Sequence, residues 1–274
     1  MEEKTPDDKS SLFEKINKRA ILPIVSAVLV LLSLIIPIPT LALDILIAVN
    51  LLFALTIIFS VVCTKKAADF SSLPTLLRLS TIFGLAVNIA AAMLILIKGA
   101  DFDGRLIRFV SSIFFHSEEI TDLIIGSAIF FIIIAINVLV IAKGATRIAE
   151  VACRFTLDSM QVKMMTIETE YGSGAINEEE ALSRKMAVQK ESDFLCTLDG
   201  AGKIITGYEK VKIFIIGAII IGGVLIDTLL NGKSANEAIL IYIPLAVGSG
   251  ILFMIPSFLA STAAGIIVTR EAMK

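Results

Sequence analysis

The sequence predicts an all-α, polytopic helical membrane protein of about six spanning segments with a small helical cytoplasmic block. Three observations carry that expectation. The 274 residues are 56% apolar with a mean hydropathy of +0.89, which is a membrane-protein composition. The apolar residues fall into long uninterrupted runs, not periodic amphipathic ones. The cations are segregated between the runs, and 20 of the 24 Lys and Arg fall on one side of an alternating topology.

Taken in order, residues 1–20 are polar and of mixed charge and read as a cytoplasmic N-terminal tail. Residues 21–36 form the first apolar run, which stops at Pro37-Ile-Pro39. A basic start before a short apolar core suggests a signal peptide. The long charged lead, the missing small-residue cleavage site and the balance of the later spans argue against one. The runs 45–63, 79–97 and 123–142 are each 19 or 20 residues long, enough to cross ~30 Å of hydrocarbon as a helix. Thus 21–142 reads as spans one to four. The run 213–230 is 18 residues, and the last, 239–268, is 30. That final run holds Gly248-Ser249-Gly250 and Pro256, so 211–270 reads as spans five and six with the last broken or kinked. Setting aside the long 143–212 stretch, the cation split is still 10 against 4 in favour of cytoplasmic termini.

Two connections are long. The outer one, 98–122, is mixed in charge and reads as a loop with a short amphipathic helix. The inner one, 143–210, has 68 residues with 9 Lys/Arg and 11 Asp/Glu, room for a charged helical subdomain with a meagre core. Asn177 before three glutamates predicts a capped helix start, and that helix is expected to reach about Phe194. Asp199-Gly-Ala-Gly-Lys203 lacks the spacing of a phosphate loop and follows no strand. Cys63, Cys153 and Cys196 show no paired spacing and fall on the cytoplasmic side, so neither a disulfide nor a metal site is expected.

No catalytic constellation is visible, and a non-enzymatic role without cofactor or metal is expected. Asn88 and Asn137 are mid-span and read as hydrogen-bonding glue between helices. Asp44 and Asp227 read as interfacial acids, and Arg78 as a cytoplasmic anchor. The segment 139–160 is the distinctive one. On a helix, Arg147, Arg154 and Asp158 fall within roughly 40° of one face. Glu150 precedes Arg154 by four residues and Arg154 precedes Asp158 by four, so opposite charges stack. Ile148, Val151, Ala152 and Phe155 form an apolar stripe beside them. The plain reading is a solvated juxtamembrane helix. The functional one is a cluster of Arg147, Glu150, Arg154, Asp158, Asp199 and Lys203 at the mouth of the bundle, where protonating one acid would shift a bistable helix.

The residues also carry a resemblance. Lys143-Gly-Ala-Thr-Arg147-Ile-Ala-Glu150-Val-Ala-Cys-Arg154-Phe-Thr-Leu-Asp158 resembles the K-G-A-x-R-I/V-A-E-V-x-A-R-F-x-L-D signature of the flagellar and type III secretion export-gate family (FHIPEP). Phe70-Ser-Ser-Leu-Pro74-Thr with Leu85-Ala-Val-Asn88, Leu198-Asp199-Gly-Ala-Gly-Lys203, and Ile255-Pro256 through Ser261-Thr-Ala-Ala-Gly-Ile-Ile-Val-Thr-Arg270 are similar to further family motifs in the same order. The resemblance implies a component of a protein-export gate in the bacterial inner membrane that couples proton motive force to export. It implies a nonameric homo-oligomeric ring around smaller export-gate subunits. Unfolded substrates and chaperones would dock on a further cytoplasmic domain; no nucleic acid is implied. Arg147, Arg154, Asp158, Asp199 and Lys203 occupy the family's charged loop positions.

Four departures stand out. Tyr208 and Ser249 stand where the family has acids, and Gly84 and Met93 stand where it has arginines in the third span. Correlated loss is the physical account, because a membrane-buried arginine without its acid is costly. The alternatives are a degenerate paralogue with weakened proton coupling and a proton-coupled small-solute transporter, the latter suggested by the interrupted last span.

Overall fold

The computed structural model describes residues 38–64, 70–116 and 119–272. The tail 1–20 and the apolar run 21–36 lie outside the described residues. The described chain is helical throughout: α1 (Thr40–Cys63), α2 (Leu73–Lys98), α3 (Arg105–Phe114), α4 (Ile120–Ala135), α5 (Lys143–Gly172), α6 (Glu178–Leu229) and α7 (Ala235–Ala272). A π-helical turn, Ile136–Ala142, joins α4 to α5 without a break. Five of these helical stretches are long and apolar enough to cross a membrane, and they contain the five predicted runs beyond residue 38.

Helix starts follow local chemistry. Pro39 precedes α1, and Pro74 sits in the first turn of α2, where its missing N–H costs nothing. The Asn177 side chain accepts from the Glu180 N–H at 2.7 Å, the predicted cap of α6. Two helices outrun the expectation. α6 continues past Phe194 and through Gly200, Gly202 and Gly207 to Leu229, 52 residues or about 78 Å of axis. α7 runs through Gly248-Ser249-Gly250, Pro244 and Pro256 as one unbroken helix, where a broken or kinked one was expected. Packing overrides the local breakers here. A Cβ at Gly248 would lie 2.6 Å from the Ile107 carbonyl, and one at Gly250 would lie 2.7 Å from the Phe130 ring. The glycines therefore serve close approach by α3 and α4.

Both ends of the bundle are tied by side-chain caps. At one end, the Arg270 guanidinium donates to the carbonyls of Val61, Val62 and Thr64, closing the C-terminus of α1. At the other, the Asp44 carboxylate accepts from the N–H groups of Arg105 and Leu106 at 2.9 and 3.2 Å. It caps the amphipathic helix α3, which the sequence placed in the 98–122 loop, and is more than an interfacial acid. Asp227 differs more from expectation. It is buried, held by Asn231 at 2.6 Å and by Lys233 at 3.0 Å. The hydrogen bond to Asp227 holds the Lys233 ammonium above the usual lysine range. Nearby, the Lys98 ammonium donates to Asp103 at 2.6 Å and, with Thr40, keeps that carboxyl below its ordinary range.

The interior is two apolar cores. One packs Leu43, Ile47, Val87, Leu94, Ile219, Tyr242 and Phe253. The other packs Ile57, Val61, Leu73, Leu77, Leu198, Ile205, Ala263 and Ile267. Outside them, Leu52, Phe59, Phe131, Phe214 and Ile221 are exposed. So broad an apolar surface is at home against hydrocarbon tails.

Helices α5 and α6 form an antiparallel hairpin. Its near half packs Ala149, Phe194, Leu195, Leu198 and Ala201 into the second core. Its far half is laced by Lys163–Glu191, Arg184–Glu170 and Lys185–Glu168. Cys153 and Cys196, where no disulfide was expected, are joined across the two helices, with Cα atoms 4.9 Å apart. Spacing of 43 residues along the chain hid a pair that the hairpin brings face to face.

Candidate functional site

Along every long helix, a band of buried polar residues falls between the two cores. α1 contributes Asn50; α2 contributes Ser80, Thr81 and Asn88; the π-turn contributes Asn137; α6 contributes Tyr208, Glu209 and Lys212; α7 contributes Ser257. The chain positions agree, since Asn50 separates Ile47 of the first core from Ile57 of the second, and Ser257 separates Phe253 from Ala260.

The centre of the band is an ion pair. Glu209 and Lys212, one turn apart on α6, are 2.7 Å apart and each 2% exposed. The second Glu209 oxygen accepts from Asn137 Nδ2 at 3.1 Å. Lys212 Nζ also donates to Ser257 Oγ at 3.0 Å and to the Phe253 carbonyl at 3.2 Å. That carbonyl lies beside Leu252, the residue whose carbonyl Pro256 cannot engage for want of an N–H. The ammonium stands 4.9 Å from the centroid of the Tyr208 ring, a cation–π distance. Both charges are thus out of water and paired, as buried charges must be.

The departures from the family pattern meet here. A Cβ at Gly84 would lie 3.2 Å from Asn50 Nδ2 and 3.6 Å from the Tyr208 hydroxyl. The position without an arginine and the position without an acid therefore face one another, and the Tyr208 ring reaches toward the room a side chain at 84 would take. Asn88 lies within reach of the same hydroxyl. Two buried polar atoms of this band, Asn50 Oδ1 and Tyr208 OH, have no aligned hydrogen-bond partner among the described residues. Such orphans concentrated in one layer mark a functional place more often than a structural one.

Why does the hairpin cross here? Ala142, Thr146, Ala149 and Cys153 form the face of α5 turned to α6. Thr146 Oγ1 meets Thr206 Oγ1 at 2.7 Å, and a Cβ at Gly202 would lie 3.5 Å from the Thr146 hydroxyl. Small residues on both sides let the backbones close. The predicted charged face consequently lies to the side of that seam, with Arg147, Arg154 and Asp158 exposed. Arg154 pairs with Glu150 at 3.6 Å, and Lys203 pairs with Asp199 at 2.8 Å. Glu150 and Arg154 both lie within electrostatic reach of Lys203, so these four share one patch. Arg147 and Asp158 are exposed and form no ion pair among the described residues. The stripe residues Ile148, Val151 and Phe155 are exposed as well.

The sequence reading missed Glu209 and Lys212, and one signal was available. The buried positions of α6 run Ile205, Glu209, Lys212, Ile216, Ile219 and Gly223, a steady alternation of four and three. Both charges fall inside that stripe.

The family comparison matches residues 30–274 to the FHIPEP family. The chain belongs to that family. It is similar to the flagellar biosynthesis protein FlhA of Borreliella burgdorferi, at 45% identity over 258 residues, covering 94% of this chain and 37% of the relative. FlhA of Treponema pallidum is 43% identical over 90% of this chain and 35% of its own length. FlhA of Salmonella typhimurium is 36% identical over 88% and 35% respectively. The chain spans about a third of the length of the curated relatives it matches. No solved structure matches. Membership of the FHIPEP family thus goes together with five helical stretches long and apolar enough to cross a membrane.

Proposed function

We propose that the protein is a component of the bacterial flagellar protein-export gate, set in the inner membrane, that couples proton motive force to passage of unfolded export substrates. In this reading both termini and the α5–α6 hairpin face the cytoplasm, as the cation distribution favours. The observation that carries the reading is similarity to flagellar biosynthesis proteins over nine-tenths of the chain. Copies assemble as a ring with other gate subunits, and substrates with their chaperones dock on a cytoplasmic domain. The patch of Glu150, Arg154, Asp199 and Lys203, flanked by Arg147 and Asp158, is the hairpin's responsive surface, and its role needs no enzymatic chemistry.

Deletion of the gene tests the export role. Flagellar hook and filament proteins should vanish from the culture medium and return with the intact gene; undiminished secretion in the deletion strain overturns it. Asp158→Ala should stop export while the protein still reaches the membrane, and normal secretion would remove Asp158 from the mechanism. Blue-native electrophoresis of the extracted complex should give a species far larger than a dimer. A monomer or dimer would favour a small-solute transporter instead.

A further inference from the structure

We infer that Glu209 is the proton-binding carboxylate within this chain's bundle, with Lys212 its counter-ion and the π-turn at Asn137 its mechanical output. The inference rests on the export-gate reading and names the site of coupling within it. Tyr208 stands where the family pattern has an acid, and that absence alone would suggest lost coupling. The geometry restores an acid one residue on: Glu209 is buried at the level where both apolar cores end, with a cation 2.7 Å away.

Three features make the pair a switch as well as a strut. First, the carboxylate is held by Lys212 at 2.7 Å through one oxygen and by Asn137 at 3.1 Å through the other, so one proton alters both holds. Asn50 Oδ1 and the Tyr208 hydroxyl, which Asn88 can reach, have no aligned hydrogen-bond partner among the described residues of the same band, so polar capacity is left for a proton path. Second, a small cavity lies against the pair, walled by Ile134, Val138, Ile213, Ile216 and Met254. Third, among the described residues the carboxylate's one hydrogen bond from another helical segment comes from Asn137, on the π-turn. A π-turn carries one residue more than the α-helix around it, and such turns recur at functional sites.

The charged and titratable groups facing Glu209 are Lys212 and Tyr208, both on α6. The π-turn brings Asn137, α7 brings Ser257 and the Phe253 carbonyl, α2 brings Asn88 and α1 brings Asn50, none of which titrates. Addition of a proton to Glu209 gives a neutral carboxylic acid. Lys212 keeps Ser257 and the Phe253 carbonyl but loses its counter-charge, and the hold on Asn137 weakens from a charge-assisted bond to an ordinary one. The π-turn is then free to relax to α-helix. Loss of that extra residue shifts the register of α4 against α5, and release of the proton to the cytoplasm resets the pair.

The test is made in the chromosomal gene, with secretion, membrane level and infrared spectra as readouts. Glu209→Gln should cut secretion of flagellar proteins at least tenfold with the protein still in the membrane, and Glu209→Asp should retain part of it. Glu209→Gln with Lys212→Met leaves no unpaired charge, so it should accumulate normally and still fail to export. In infrared difference spectra of the purified protein across pH, a deuteration-sensitive carboxyl C=O band should be present, shift in Glu209→Asp and be absent in Glu209→Gln. Wild-type secretion by the neutral double variant, or spectra without a Glu209 band, overturns the inference. If Glu209→Gln does not accumulate, the double variant and the Glu209→Asp spectrum decide. Failure of the wider reading looks different: secretion would then persist when the whole gene is deleted.

Discussion

Replacement of Lys212 by Met should be among the most destabilising single changes in this bundle. The ammonium has a carboxylate at 2.7 Å, a hydroxyl at 3.0 Å, a carbonyl at 3.2 Å and an aromatic face at 4.9 Å. Methionine fills most of the same volume, so little of the loss comes from packing. What remains is Glu209, buried, with only Asn137 to satisfy a full negative charge. Removal of one partner of a buried pair costs about 3–5 kcal/mol. Added Glu209→Gln keeps a polar group for Asn137 and removes the stranded charge, so the double variant should return to within about 1 kcal/mol of the native protein, because neutral replacements of buried pairs are often near neutral. The coupling in the cycle is therefore at least about 3 kcal/mol, and larger by whatever Glu209→Gln alone costs in stranding Lys212. The assay is reversible denaturant unfolding of the four proteins in detergent micelles, followed by far-ultraviolet circular dichroism. A Lys212→Met cost below about 1 kcal/mol, or additive effects in the double variant, would refute the reasoning by showing that water reaches the pair.

Asp44→Ala should cost about 1 kcal/mol, because α3 loses the carboxylate that accepts from its first two N–H groups. Limited proteolysis across 98–122 should speed up while the rest of the bundle keeps its protection. Alkylation after denaturation should modify one cysteine without reductant and three with it, given the Cys153–Cys196 link and free Cys63. Cys153→Ser should lower the unfolding free energy of the oxidised hairpin by about 2–4 kcal/mol. The raised Lys233 gives a pH dependence: its contribution is complete below the ordinary lysine value of about 10.4 and is lost as pH rises through the raised one. Asp227→Asn should abolish that alkaline loss and speed amine labelling of Lys233.

How far the sequence foretold this molecule depends on the range of the forces involved. Runs such as 45–63 and 79–97 announce spanning helices because a membrane demands internal satisfaction of every backbone group over a fixed length. The Asn177 cap was legible because its chemistry closes within three residues. The Gly248-Ser249-Gly250 break was misread for the opposite reason. Only the arrival of Ile107 and Phe130, more than a hundred residues upstream, turns those glycines from breakers into contacts. Asp44 and Arg105 are likewise joined across 61 residues. Glu209 was passed over because of its neighbours. The run Tyr208-Glu209-Lys210-Val211-Lys212 looks like charges gathered at a membrane edge, and only the four-and-three stripe from Ile205 to Ile219 tells inward charges from Lys210, which is exposed.

The charged patch on the hairpin and the buried pair in the bundle belong to one rigid body. Asp199 and Lys203 sit on α6, and so do Glu209 and Lys212. From Asp199 to Lys212 is about 20 Å of uninterrupted helix. α5 is tied to α6 below the layer by Thr146–Thr206 and Cys153–Cys196, but above it the π-turn is held to α6 by Asn137–Glu209 alone among the described hydrogen bonds. A change of charge at Glu209 therefore acts on the one described hydrogen bond that holds the π-turn to α6. The lower ties make the hairpin move as a unit, so a register change at the π-turn cannot stay local. It must carry Arg147, Arg154 and Asp158 round with the hairpin face that bears them. Locking Cys153–Cys196 should leave export intact, whereas a cross-link between positions 137 and 209 should stop it.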